Sequence, residues 1–294
     1  MSEIRFFDRN MRRAKFLHTP FEILPLNNFG AEVLDFDLSR PFAHEVSEHL
    51  RMALAKFQIL IFRNQNISPA DQTRITQCFG ELEPGIVRRP ENHQVPDHPN
   101  ILYLSNENDS PTLDYGSAWH SDGLAYARIP HGMTMLYCIA CPPGAGATLF
   151  ANQYMAYEAM KESFQNILND LFWYLPKIDY SEVPAGKGLA QPLMRIHPET
   201  GRKFIFCSPS ACQIRGMTRL ESAGILKVVH AYQVRNEFVY CHYWQKNEVV
   251  MWENCALLHN RADVVDFAAQ GLRAMHRSAT EGRFEAIECE AAEE

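Results

Sequence analysis

The chain of 294 residues lacks any apolar run long enough to cross a bilayer. No window supplies the roughly 18 uncharged residues of a spanning helix, and the first residues carry no apolar core of the kind a signal peptide needs. It also lacks an excess of positive charge. With 28 Lys and Arg against 35 Asp and Glu, the net charge is -7, and the one basic cluster lies in residues 5–15. A phosphate-binding surface needs clustered cations, so no nucleic-acid partner is expected, and residues 1–20 read as a solvated or dimer-contacting arm. Paired cysteine motifs are missing as well. Cys138 and Cys141 have redox or zinc spacing but no second pair accompanies them, so the eight scattered cysteines read as free thiols of a reducing, cytoplasmic compartment. Internal repeats are absent, and the only biased stretch is the acidic end after Glu288, expected to be frayed.

What is present is one large core's worth of apolar residues, 46% of the chain. That suits a single domain over residues 21–288, followed by an acidic tail at 289–294. Two short strands are expected in 21–37. Apolar residues at helical spacing predict a helix over 44–57, and the continuous apolar run 58–62 a buried strand. Ser68 followed by Pro69 marks the start of a helix that Gly80 stops. Strands are expected over 132–140, 194–197, 203–207, 237–244 and 249–252, with helices over 154–174 and 218–234. Lys246 and Asn247 are expected to occupy a hairpin turn. Residues 81–118 and 175–190 are irregular and are the two lid candidates, since long ordered loops in compact domains commonly cover binding sites. Arg88 and Arg89 lie in the first of them and are candidate substrate contacts.

The most informative stretch is Trp119-His120-Ser121-Asp122-Gly123. His120 and Asp122 are two apart, so in an extended segment both leave the same face and can meet one ion. An imidazole and a carboxylate presented together are two thirds of the facial 2-His-1-carboxylate set that binds non-haem Fe(II) and leaves positions open. Far downstream, two apolar strand patterns separated by a turn end on His259, and Arg273 and Arg277 follow, four apart.

The order of these pieces resembles the taurine dioxygenase and 2,4-dichlorophenoxyacetate dioxygenase family of Fe(II)/2-oxoglutarate enzymes. Segments 59–63, 146–150, 197–203 and 275–280 carry the resemblance further, so that it extends over about residues 21–282. It implies an α+β, mainly β protein, with a double-stranded β-helix (a cupin-like jelly roll) at its centre and flanking helices. Its metal ligands would be His120, Asp122 and His259. Thr148 and Arg273 would take the distal carboxylate of 2-oxoglutarate. Arg277 would lie near the iron and meet either the other end of that cofactor or an anionic group of the substrate, with the two arginine roles still exchangeable. Fe(II), 2-oxoglutarate and O2 are the implied cofactors. The implied reaction hydroxylates a small, anionic organic molecule with release of succinate and CO2, in a homodimer or homotetramer.

Two other readings stay open at this level. The same cofactors serve desaturations and cyclisations, and a jelly roll can bind a metal or metabolite without catalysis. The joint presence of His120, Asp122, His259, Thr148 and Arg273 speaks against the second. Trp119 and Trp252 read as packing at the wall of the site, and His276, next to Arg277 on one strand, should point the other way.

Overall fold

The computed structural model describes residues 21–84, 93–106, 118–142, 146–175, 183–184, 187–262 and 271–291. The basic arm, Arg88, Arg89, residues 292–294 and parts of both lid candidates lie outside the described residues. Among the described residues no helix is long and apolar enough to cross a membrane.

The chain is mixed helix and strand, mainly sheet. The largest sheet has eight strands: β1 (Glu22–Pro25), β2 (Ala31–Leu34), β3 (Ile59–Phe62), β4 (Gln94–Val95), β5 (His98–Ser105), β6 (His131–Ala140), β13 (Val249–Glu253) and β15 (Ala274–Glu281). Their spatial order is β1-β2-β3-β13-β6-β15-β5-β4, all antiparallel except the β2–β3 pair. A three-stranded sheet, β12 (Val239–His242), β7 (Thr148–Asn152) and β14 (Leu257–Arg261), has β7 at its centre.

Side-chain alternation explains why the central strands read as unbroken apolar runs. On β13, Val249 and Met251 join a cluster with Leu50, Ala53, Leu54 and Ile75 of the helices, while Val250 and Trp252 join Phe150 and Leu257 of the small sheet. β3 divides the same way, Leu60 and Phe62 toward the helices, Ile59 and Ile61 toward the small sheet. Both faces of the large sheet are covered, so both sets of positions are apolar. The helices on its outer face are α1 (His44–Phe57) and α2 (Pro69–Gln77). Ser68 caps α2 reciprocally with Asp71, its hydroxyl accepting from the Asp71 N–H and the Asp71 carboxylate accepting from the Ser68 N–H. α2 packs against β5 and β15.

Several elements differ from the sequence expectations. The expected helix over 154–174 is two short helices, α3 (Gln153–Glu158) and α4 (Glu162–Leu168), followed by a strand, β8 (Phe172–Tyr174). The Asn152 side chain caps α3 through the N–H groups of Tyr154 and Met155. The aromatic triplet that follows α4 prefers the pleated, half-covered surface offered by β9 (Lys187–Pro192). That strand occupies the end of the second lid candidate, and β4 and β5 occupy the middle of the first, where Ile101 is fully buried. Pro99 and Asn100 obscured the strand pattern there. Lys246 and Asn247 do not close a hairpin, because β12 and β13 belong to different sheets and the turn carries the chain between them. The expected fray after Glu288 is instead β16 (Ile287–Glu290), paired with β9 through Cys289 and Glu290. The strands β10 (Met194–Ile196) and β11 (Lys203–Ile205) form a separate hairpin, and α5 (Arg219–Gln233) is capped by Thr218 with Glu221.

Candidate metal centre

His120 and His259 are brought together by the backbone. His259 lies on β14, and an isolated antiparallel bridge joins it to His120, each N–H donating to the other's carbonyl, at 3.0 Å from His120 and 2.7 Å from His259. Their rings are 4.2 Å apart, centroid to centroid. After Ser121 the chain turns sharply. Gly123 has φ +78, and a Cβ there would meet His131 and Pro130 at about 3.1 Å, so the residue after Asp122 must be glycine or strained.

Asn254, wholly buried in the short 3-10 turn between β13 and β14, fixes that turn. Its Oδ1 accepts from the Asp122 N–H at 2.9 Å. Its Nδ2 donates to the carbonyls of Asp122 at 2.9 Å and His131 at 3.0 Å, and its own carbonyl accepts from the Ser121 hydroxyl at 2.7 Å. No sequence signal marked this role, although Asn254 stood in the stretch leading to His259.

The two oxygens of Asp122 have different surroundings. Oδ2 accepts from the Thr134 hydroxyl at 2.9 Å and from Arg277 Nη2 at 3.0 Å. Oδ1 faces the imidazoles, 3.9 Å from His120 Nε2 and 3.8 Å from His259 Nε2. Ligand atoms from all three side chains lie within 4.8 Å of one another.

The protonation states suit a divalent cation. Burial alone pushes the Asp122 carboxyl up, but Arg277, with His259, His131 and His120 around it, outweighs burial and holds the group well below the usual carboxylate range. Burial, then the neighbouring His120, lowers His259 to about 3, leaving it neutral. The Nδ1 of His120 lies 2.8 Å from the Ala118 carbonyl, which can only accept. The ring hydrogen is therefore on Nδ1, and the lone pair of Nε2 faces the site. His259 Nδ1 is a buried polar atom with no hydrogen-bond partner among the described residues. Two imidazoles and one ionised carboxylate, half-enclosed and convergent, fit non-haem Fe(II).

Of the other predicted site residues, Thr148, Arg273 and Arg277 lie on or beside β7 and β15, while Arg88 and Arg89 lie outside the described residues. Arg277 on β15 pairs in register with Leu136 and points to the same side as Met275, toward the small sheet. His276 points the other way, edge-on to Tyr103 and Tyr137. Trp252 packs with its ring 5.1 Å from His259 and 5.4 Å from Phe150, whereas Trp119 is only half-buried. Thr148 opens β7, where Arg261 and His242 are its register partners, and its hydroxyl oxygen accepts from the indole N–H of Trp244 at 2.9 Å. Arg273 lies just before β15. The pairing shifts register between Ala274 and Met275, so the even spacing from Arg277 does not by itself set the face Arg273 occupies. Burial, and then the charge of Arg261, lower Arg273 to about 10, which leaves it cationic at neutral pH. Nothing in the sequence signals the proximity of Arg261, two residues after His259, to Arg273.

A second convergent group, His197, Glu253 and Cys255, also has its ligand atoms within 4.8 Å. It is not arranged for a metal. His197 Nδ1 accepts from the N–H groups of Glu199 at 3.3 Å and Thr200 at 3.4 Å, so the hydrogen sits on Nε2, the atom that faces Glu253. The Cys255 thiol donates to Glu253, and burial raises it well above its ordinary range.

The His-Asp-His cluster thus offers the donor set of a non-haem metal centre. The family model for taurine catabolism dioxygenase TauD, TfdA family, matches residues 22–279, and the chain belongs to that family. It is an enzyme, a 2-oxoglutarate-dependent dioxygenase using Fe(II), 2-oxoglutarate and O2. It is 28% identical over 274 residues to the alpha-ketoglutarate-dependent 2,4-dichlorophenoxyacetate dioxygenase of Cupriavidus pinatubonensis, covering 86% of this chain and 94% of that protein. The (S)-phenoxypropionate/alpha-ketoglutarate-dioxygenase of Sphingobium herbicidovorans is 26% identical, over 81% of this chain and 88% of its own. Among solved structures, a taurine dioxygenase from Burkholderia xenovorans superposes with a TM-score of 0.77 at 25% identity, over 92% of this chain and 97% of that one.

Proposed function

We propose that His120, Asp122 and His259 hold Fe(II), that Thr148 and Arg273 take the distal carboxylate of 2-oxoglutarate, and that Arg277 receives the anionic group of a small organic substrate, which is hydroxylated. The observation that carries this reading is the division of the Asp122 carboxylate. One oxygen is locked by Thr134 and Arg277 while the other faces two imidazole Nε2 atoms. The eight-stranded sheet and the small β12-β7-β14 sheet facing it support a jelly roll as the fold, in a single domain over residues 21–288.

When bound, Fe(II) with 2-oxoglutarate supplies the oxidant for O2-dependent hydroxylation, giving succinate and CO2. The chain supplies orientation and charge. Thr148 already accepts from Trp244, so its own hydroxyl hydrogen is the one left to donate to a carboxylate. Arg273, cationic and partly buried, provides the opposite charge. Arg277 uses Nη2 for Asp122 and His131, at 3.0 and 2.8 Å. An Nη2 has two hydrogens, so Nε and Nη1 are the donors that remain for a substrate anion. Both named relatives act on molecules whose names denote aryloxy carboxylic acids, which supports a carboxylate as that anion. The eight free thiols support a reducing, cytoplasmic location.

The test is a substrate screen by succinate release, with small carboxylates, sulfonates and sulfate esters as the panel. Stimulation by an anion, lost in Arg277→Gln and recovered at high substrate concentration when Fe(II) is kept saturating, is the expected result. Stimulation only by uncharged compounds would refute the anion assignment. A product heavier by one oxygen marks hydroxylation, and one lighter by two hydrogens marks desaturation or ring closure.

A further inference from the structure

The three proposed metal ligands account for only part of the buried charge around them. Arg277 stands behind Asp122, His131 behind Arg277, and Glu83 behind His131. The distances are 3.0 Å from Arg277 Nη2 to Asp122 Oδ2, 2.8 Å from the same Nη2 to His131 Nδ1, and 3.3 Å from His131 Nε2 to Glu83 Oε1. His131 and Arg277 are buried, and the Glu83 side chain is 11% exposed.

The direction of every bond in this chain is fixed. A guanidinium only donates, so His131 Nδ1 must accept. The ring hydrogen then sits on Nε2 and points at the Glu83 carboxylate. Donation therefore runs outward from Arg277 on both sides, through the His131 imidazole to Glu83 and directly to Asp122. The backbone builds the chain deliberately: Leu82 bridges to Thr280, the Glu83 N–H donates to the Ala279 carbonyl at 3.0 Å, and the Thr280 hydroxyl accepts from the Met133 N–H at 2.9 Å. These contacts set the segment before Glu83, the start of β6 and the end of β15 in one register.

A buried guanidinium beside a divalent metal needs a counter-charge of its own. Asp122 cannot serve both cations fully, because the oxygen that binds the metal shares the same negative charge. Glu83 answers Arg277 from the far side: burial pushes the Arg277 pKa down, Asp122 and Tyr126 outweigh it, and Glu83 adds a smaller rise. We propose that Glu83 and His131 are positioning residues that hold Arg277 against Asp122 Oδ2, and so keep Oδ1 as the one oxygen presented to the metal. Neither residue touches the metal or the reactants. The inference rests on the metal-centre reading above, and its signature is metal affinity rather than catalysis alone.

The test is anaerobic titration of metal-free protein with Co(II), read by ligand-field absorption, on the full-length chain. His131→Phe should weaken Co(II) at least about tenfold, the usual scale for losing a group that orients a ligand. His131→Gln is the rescue, because an amide accepts from Arg277 with its oxygen and donates to Glu83 with its nitrogen, and it should stay within about threefold of wild type. Glu83→Gln keeps an acceptor and loses the charge, and should fall between them. A role confined to packing would lower the unfolding midpoint without moving the Co(II) affinity. His131→Phe binding like wild type, or His131→Gln failing as badly as His131→Phe, would overturn the proposal. Should His131→Phe not fold, Glu83→Gln decides, and an unchanged affinity there overturns it. A wild-type protein with no Co(II) site would instead refute the metal centre, a result distinct from each of these.

Discussion

Asn254 offers the sharpest perturbation, because its side chain does one job through three hydrogen bonds. It is wholly buried, accepts from the Asp122 N–H, and donates to the carbonyls of Asp122 and His131. Asn254→Ala removes three hydrogen bonds. At about 1 kcal/mol net for each, the variant should lose about 3 kcal/mol of stability. For a domain of this size that is about 5 °C in unfolding midpoint. Asn254→Asp should be no milder, since it turns a donor facing two carbonyls into a third oxygen and buries a carboxylate. Both should also weaken metal binding, because the peptide carrying Asp122 would lose its anchor. Urea denaturation of metal-free protein gives the first quantity and Co(II) titration the second. Asn254→Ala within about 1 kcal/mol of wild type, with unchanged Co(II) affinity, would refute the claim that Asn254 sets the Asp122 turn.

Three further outcomes follow from the site. Trp244→Phe keeps an aromatic ring but removes the N–H that occupies Thr148, and should weaken 2-oxoglutarate about fivefold, near 1 kcal/mol, with metal affinity unchanged. Calorimetry on the metal-loaded protein reads this, and equal dissociation constants would remove Trp244 from the cofactor's support. His259 is depressed from 6.5 to about 3, so between those values the unfolded chain binds a proton that the folded chain does not. Metal-free protein should therefore lose stability as pH falls from about 6.5, by up to about 1.4 kcal/mol per pH unit from this group, while depressed Asp122 contributes no loss above the usual carboxylate range. Urea unfolding at pH 7 and pH 5 should show a smaller difference for His259→Gln, and identical differences would contradict the assignment. Of the eight free thiols only Cys212 is exposed, so a thiol reagent should label it first, with buried Cys138 and Cys207, both raised by burial, reacting only on unfolding.

Much of the scaffold was legible because local rules and burial agreed. The spacing of Val46, Leu50, Leu54 and Phe57 and the cap at Ser68 marked α1 and α2, and the apolar run ending at Phe62 marked β3. The same rules failed where partners lie far away in sequence. Phe172, Trp173 and Tyr174 continue a helical pattern locally and become a strand only because β9 is there to pair with. β5 was hidden by Pro99 and Asn100, whose interruption is tolerated near the start of the strand. At the site, His120 and Asp122 converge across a turn that Asn254 holds, and the approach of His259 depends on a backbone bridge; no local pattern encodes either. Asn254, Thr134, His131 and Glu83 carry no motif. Their roles arise from which face of β6 and β15 looks inward and from the segment annealed beside Thr280.

The account's central claim is a chelated iron site, and one measurement reaches it directly. Fe(II), then 2-oxoglutarate, is added without oxygen to metal-free protein, and the visible spectrum is followed for a weak metal-to-ligand charge-transfer band. The account predicts the band in wild type and its absence in His259→Ala and Asp122→Ala. Folded wild-type protein showing no band, or variants that keep it, would contradict the site.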